Sequence, residues 1–283
     1  MKRLAALVLC LVSLCSIACA EQLDEKTLLS YYDDCLFIGD SIMQGLRRYR
    51  SAVREEDPSF LESATIVCTA SISLYSGSRR FLNGEYHFKY KGIDQTMYEI
   101  ARTVKPKRVL VLLGLNDPVG IKIDRAMEWI EYIVRTLPGY APDTELCFFS
   151  QTPITERYCR MKKRPGYQDK LNEYNARLRE TCERLGVTYI EISESLKGED
   201  GYLVDEYSSD KICHLSDEGL AVWVRDMCAH AQRQYDAGLW KPFAEETPDD
   251  ESSSAEAPEA VEDTAPAEPS EPAATLTITM QED

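Results

Sequence analysis

Arg108-Val109-Leu110-Val111-Leu112-Leu113-Gly114-Leu115-Asn116-Asp117 decides how the rest of this 283-residue chain reads. Every position from Val109 to Leu113 is apolar. A strand with one wet face alternates polar and apolar residues. A strand without a polar position is covered on both faces, which is the condition inside a parallel sheet. The run stops at a glycine and gives way to Asn116 and Asp117, so polar chemistry starts where the strand ends.

Similar segments lie on either side. Cys35 to Gly39 is a short apolar run followed by Asp40, Ser41 and a helix-like stretch through Arg50. Ala64–Cys68, Glu145–Ser150 and Val187–Ile192 complete a set of five strands. Gly92–Val104 has helical spacing, with Ile93, Met97, Ile100 and Ala101 on one face. Amphipathic helices are predicted over Ile123–Leu137, stopped by Pro138-Gly139, and over Gln168–Leu185, ended by Gly186. Ser216 is placed to cap a last helix, with Asp217 and Glu218 in its first turn and its end near Tyr235. Strands alternating with helices imply right-handed crossovers and a three-layer α/β/α sandwich around a five-stranded parallel sheet, spanning 21–244. Such sheets carry their sites beyond the carboxyl ends of the strands.

The two ends read differently. Residues 1–20 combine Lys2 and Arg3, an apolar run from Leu4 to Ile17, and the small residues Ala18-Cys19-Ala20. This is the pattern of a cleaved export signal, and a secreted or cell-surface protein is expected. Two other readings keep the chain at a membrane through its N-terminus: Cys19 as a lipid-modified cysteine, and the run as an uncleaved anchor. Residues 245–283 hold 13 Asp and Glu and no Lys or Arg, with Pro, Ala, Ser and Glu dominating. That composition cannot bury enough apolar surface to offset chain entropy, so a disordered acidic tail is expected. The net charge of −16 falls mostly on this tail, leaving residues 1–244 near −3. Neither part offers a basic face for nucleic acid. Of ten Cys, seven lie beyond residue 20, none spaced C-x-x-C, which argues against a zinc cluster. Cys35, Cys68 and Cys147 fall in or beside strands and read as small core residues. Disulfides among the seven cannot be assigned from spacing.

Polar residues gather at the strand ends. Ser41 occupies a strand-to-helix turn, with Gly39 permitting the tight backbone there. A hydroxyl at a helix start is placed to act as a nucleophile, beside amides that face a developing oxyanion. Asp40 and Ser41 are equally ordinary helix caps. Asn116, after Gly114-Leu115, can donate its amide to an oxyanion, while Asp117 reads as a brace for its loop. The chain has three histidines. His214 lies in the loop Ser208-Ser209-Asp210-Lys211-Ile212-Cys213-His214 just before the last helix, with Asp210 close enough to fix its tautomer. His87 and His230 read as surface residues.

Taken together, Gly39-Asp40-Ser41, Gly114-Leu115-Asn116-Asp117 and an Asp/His pair before the last helix resemble the SGNH (GDSL) hydrolases over about 35–230. The resemblance implies Ser41 as nucleophile, His214 as base, Asp210 as its partner and Asn116 as oxyanion donor, with no metal and no cofactor. Two departures accompany it. The family usually has a Gly after the second strand whose amide completes the oxyanion hole; here Cys68-Thr69-Ala70-Ser71-Ile72-Ser73 offers Ser71. The family Asp usually precedes the His by three residues, and here that position is Lys211, with Asp210 one earlier. The implied activity is an exported serine esterase that removes an acetyl-like group from an alcohol or carbohydrate ester. Alternatives are an O-acyltransferase on the same site and a degenerate binding protein.

Two segments bear on the substrate. Tyr75, Phe81, Tyr86, Phe88 and Tyr90 form an aromatic-rich stretch, read either as a loop covering its own small core or as a sugar-stacking groove. Residues 151–166 are locally basic through Arg157, Arg160, Lys162, Lys163 and Arg164, read either as a solvated face or as an attractor of anionic polymer.

Overall fold

A computed structural model of the protein describes residues 21–81, 87–117 and 122–242. The export signal with Cys19, Tyr86 and the acidic tail all lie outside these residues. The helices are α1 (Glu25–Leu29), α2 (Ser41–Val53), α3 (Leu74–Gly77), α4 (Met97–Val104), α5 (Ile123–Thr136), α6 (Glu156–Met161), α7 (Tyr167–Leu185) and α8 (Asp217–Asp236). The strands are β1 (Leu36–Gly39), β2 (Thr65–Cys68), β3 (Phe88–Tyr90), β4 (Ile93–Gln95), β5 (Arg108–Leu112), β6 (Glu145–Phe149) and β7 (Thr188–Ile190).

Five strands form one parallel sheet in the order β2-β1-β5-β6-β7. The apolar run at 108–113 becomes β5 in the centre, with Val109 to Leu112 no more than 1% exposed. Side chains alternate across a strand, so the run feeds two cores at once. Leu110 and Leu112 join Phe37, Cys147 and Phe149 beneath α1, α2 and α8. Val109 and Val111 join Leu36, Ile38 and Phe148 beneath α4, α5 and α7. This double cover is the three-layer sandwich expected from the sequence, and it explains why β5 has no polar position.

The predicted helix over 92–104 is shorter than expected. Residues 93–95 instead form β4, paired antiparallel with β3 in a separate hairpin. Lys91 and Gly92 both take positive φ (49° and 81°), the geometry of a tight hairpin turn. Thr96 then starts α4 with a reciprocal capping box: it accepts from the Glu99 amide, and Glu99 accepts from the Thr96 amide. Ile93 is therefore 63% exposed rather than part of the buried helix face. A second correction concerns His230, which is buried at 4% exposure, not on the surface. His87 is partly exposed, and its Nε2 lies 3.0 Å from Asp94 on β4. All seven described cysteines are free thiols; Cys35 and Cys147 are fully buried in the core and Cys68 is partly so. No helix among the described residues is long and apolar enough to cross a membrane.

Candidate active site

The site is built where β1 ends. Gly39 is required there by close approach, since a Cβ on it would sit 2.4 Å from the Met43 Cβ and 3.1 Å from the Leu112 carbonyl. With that space open, the chain turns directly from β1 into α2. Asp40 caps α2 by accepting from the Ile42 amide at 2.9 Å, and Ser41 becomes the first helical residue. Gly114 performs the same service at the end of β5. Its φ is +139°, and a Cβ would meet the Tyr174 hydroxyl at 2.8 Å. Tyr174 and Gln151 both donate to the Leu113 carbonyl, at 3.0 and 2.8 Å, and fix where Leu115 and Asn116 leave the sheet.

Ser41 then meets two polar side chains from a loop 173 residues further along the chain. His214 Nε2 lies 3.0 Å from Ser41 Oγ. His214 Nδ1 lies 2.6 Å from Asp210 Oδ2. The four-residue spacing is accommodated by Lys211, which takes a left-handed conformation with φ of 58°. The other carboxylate oxygen, Oδ1, accepts from the backbone amides of Ile212, Cys213 and His214 at 2.8, 3.0 and 3.2 Å. Asp210 is thus clamped by its own loop, with one oxygen left for the imidazole. Burial pushes the Asp210 carboxyl up, but the bond to His214 and the amides of Ile212 and Cys213 outweigh it and hold the carboxyl below its usual range. The loop is tied in turn to the start of α6, where Thr155 donates its amide to the Ile212 carbonyl at 2.9 Å and its hydroxyl to the Lys211 carbonyl at 2.9 Å.

The candidate oxyanion donors come from the start of α2, the loop after β2 and the loop after β5. The backbone N–H groups of Ser41 and Ser71 have no acceptor among the described residues. Ser71 stands at a φ of 60°, the left-handed region in which Gly is free of strain. That explains the Gly expected at this position and shows that Ser can occupy it, at about 1–2 kcal/mol. Asn116 donates Nδ2 to Asp40 Oδ2 at 2.8 Å and, more loosely, to the Ile72 carbonyl at 3.3 Å. Asp40 is completely buried, and desolvation pushes its carboxyl up to about 7 despite the Ile42 amide and nearby His214. Asp117 braces the neighbouring loop rather than its own, accepting from the amides of Leu74 and Tyr75 at 2.7 and 3.3 Å. Burial raises it to about 6.

No sequence pattern points to the bond from Asn116 to Asp40, or to the Gln151, Tyr174 and Asn175 scaffold. Gln151 and Asn175 bond each other through backbone and side chain at 2.7 and 2.9 Å, a long-range pairing without a local motif. Asp210, Cys213 and His214 bring ligand-type atoms within 4.8 Å of one another. They suit a metal poorly, because burial pushes the Cys213 thiol up to about 12 and keeps it protonated, and His214 Nδ1 is already bonded to Asp210.

The sequence model of the GDSL-like lipase/acylhydrolase family matches residues 37–222, a span that includes each of these side chains. No protein of curated function matches the sequence significantly. Among solved structures, the chain is similar to a GDSL-like lipase from Bacteroides thetaiotaomicron, with 15% identity, 76% of this chain and 93% of that chain covered, and a TM-score of 0.54. A lipase/acylhydrolase from Enterococcus faecalis is 14% identical over 74% of this chain and 98% of that chain, with a TM-score of 0.51. An acetyl xylan esterase from Geobacillus stearothermophilus is 12% identical over 70% of this chain and 94% of that chain, with a TM-score of 0.50. At these identities the likeness is one of fold.

Proposed function

The chain belongs to the GDSL-like lipase/acylhydrolase family, and from that premise we propose that it is an exported serine esterase that removes a small acyl group from a carbohydrate or other alcohol ester. The observation that carries this reading is the unbroken relay from Ser41 Oγ to His214 to Asp210, at 3.0 and 2.6 Å.

The chemistry follows from the geometry. His214 Nε2 takes the Ser41 proton as Oγ attacks the ester carbonyl, and Asp210 steadies the imidazolium through Nδ1. The carbonyl oxygen becomes an oxyanion held by the amides of Ser41 and Ser71. Asn116 supplies a third donor by exchanging its long bond to the Ile72 carbonyl for the oxyanion. Such a donor contributes about 3–4 kcal/mol to acyl transfer. The tetrahedral intermediate collapses, the C–O bond to the alcohol breaks, and His214 returns its proton to the leaving oxygen. Water then attacks the acyl-enzyme, losing a proton to the same imidazole and freeing Ser41.

The openness of the site supports a small acyl group on a large carrier. The His214 side chain is 45% exposed and that of Asp210 is 32% exposed. A relay at an open rim suits an acyl group hanging from a bulky alcohol better than a long chain that must be stripped of water. The Geobacillus stearothermophilus acetyl xylan esterase shows that this fold can host such a reaction. Export rests on the pattern of residues 1–20.

Hydrolysis of 4-nitrophenyl acetate tests the reading. Ser41→Ala is expected to lose turnover while melting at the wild-type temperature; unchanged turnover in that variant rejects Ser41 as the nucleophile, and no turnover by the wild type leaves a binding protein. Adding an acceptor alcohol and measuring how the acyl group partitions between alcohol and water tests hydrolysis against transfer.

A further inference from the structure

A groove of about 600 Å³ opens between α5 and the segment that runs from α3 to Phe81. Its wall begins at Tyr75, two residues beyond Ser73, the cap of α3, and so lies immediately downstream of the proposed oxyanion loop. The anchor is shared as well: Asp117, next to Asn116, holds the amides of Leu74 and Tyr75. The groove is therefore continuous with the proposed site through its backbone.

Two features define what it would bind. The first is exposed aromatic surface. Tyr75 and Trp129 face each other with ring centroids 5.1 Å apart, tilted by 51°. Tyr75 is 42% exposed and Phe81 is 67% exposed, a cost in water that a stacking ligand would remove. The second is charge. On the α5 side the cations are matched: Arg125 pairs with Glu128, and Glu131 takes both Arg135 and Arg184. Arg79 and Arg80 have no carboxylate partner among the described residues. Arg79 bonds the Tyr75 hydroxyl at 3.3 Å, and the Arg80 guanidinium lies 4.9 Å from the Phe81 ring centroid. Two guanidiniums held against aromatic rings, with their hydrogen-bonding capacity open, form a receptor for planar anions such as carboxylates.

A separate element carries the same sign. In the sheet order, β2 and β6 lie on opposite sides of β1. The segment after β6 contains α6 and the basic run 157–164, of which Arg160 alone has an ion pair among the described residues, with Glu156. From β2 to β6 the rim spans about 14 Å, a few sugar rings. The segments that follow β2 and β6, the strands on either side of β1, therefore both carry cations.

We propose that the groove is a carrier-binding subsite for an acidic polysaccharide, whose sugar rings stack on Tyr75 and Phe81 and whose carboxylates pair with Arg79 and Arg80. This rests on the ester hydrolase reading and adds the class of its carrier. Aromatic rings stack nucleobases too, so single-stranded nucleic acid is the competitor to exclude.

Calorimetric titration of the full chain with an oligogalacturonate, with neutral cellohexaose and with oligothymidylate tests the proposal. The oligogalacturonate is expected to bind at least about tenfold more tightly than either of the others. Arg79→Ala with Arg80→Ala is expected to weaken that binding by about tenfold or more, the loss of charge-assisted hydrogen bonds, and Tyr75→Ala should weaken it severalfold. Both sites are exposed, and thermal melting confirms that each variant is folded. Equal binding of cellohexaose, equal or tighter binding of oligothymidylate, no binding of oligogalacturonate, or wild-type affinity in the folded variants overturns the proposal. Wild-type turnover of 4-nitrophenyl acetate separates the two readings. Turnover without oligogalacturonate binding removes the groove and leaves the hydrolase; binding without turnover does the reverse.

Discussion

Asp210 shows how far a single residue could be read. The sequence places it one position too early for the family spacing, and local backbone geometry resolves the mismatch: Lys211 turns left-handed and the carboxylate reaches His214 at 2.6 Å. Its three amide bonds orient it independently of the imidazole, so Asp210→Asn should keep the loop while losing the charge that stabilises the imidazolium. The expected result is a fall in kcat of about 10³–10⁴-fold on 4-nitrophenyl acetate with little change in KM. A fall of under about tenfold would mean that another carboxylate serves His214. Ser41, His214 and Asn116 were legible because each follows a strand end or precedes a helix in a recognisable local pattern. The bond from Asn116 to Asp40 was not, because it joins residues 76 positions apart and depends on how β1 and β5 pair.

At the scale of the element, the loop between β2 and α3, proposed to hold the oxyanion, is the most informative. Cys68 to Ser73 has no glycine, yet Ser71 holds a φ of 60°. Ser71→Gly should relieve left-handed strain, partly offset by the greater freedom of glycine in the unfolded chain. The net gain expected is about 0.5–1 kcal/mol, read as a rise of roughly 1–4 °C in melting temperature. A lower melting temperature would show that the Ser71 side chain contributes something its φ does not reveal. Strand and helix types were legible from apolar runs and periodicity. The β3–β4 hairpin was not, because Ile93 at helical spacing suits a helix equally well, and the turn at Lys91-Gly92 and the cap at Thr96 break the pattern only once the backbone is seen.

Across the whole molecule, the two-sided cover of β5 followed directly from five apolar positions in a row, whereas the burial of His230 did not. Its place in Ala229-His230-Ala231 says nothing about which helix face it occupies. In the structure it packs edge-on against Tyr31 with centroids 5.5 Å apart, and its Nε2 is buried with no partner among the described residues. Burial, with Arg233 and Arg108 nearby, pushes it down to about 4. The unfolded chain then binds more protons than the native one between about pH 4 and 6.5, so this contribution to stability is complete above 6.5 and is lost as pH falls toward 4. Asp40, raised to about 7, acts in the opposite sense over an overlapping range. The His230 contribution is therefore isolated by comparing wild type with His230→Phe. Relative to its stability at pH 8, the wild type should lose roughly 2–3 kcal/mol more than the variant by pH 4.5, measured by urea unfolding. An identical pH dependence in both proteins would show that His230 titrates normally in the fold.

The central claim is that the Ser41 hydroxyl is activated by a folded relay. Peptide mass spectrometry after brief exposure of the intact protein to a fluorophosphonate tests it most directly. The account predicts a single adduct on Ser41, formed rapidly in the wild type and lost in His214→Ala and after denaturation. An unmodified Ser41, or an adduct that forms as readily without His214, would contradict it.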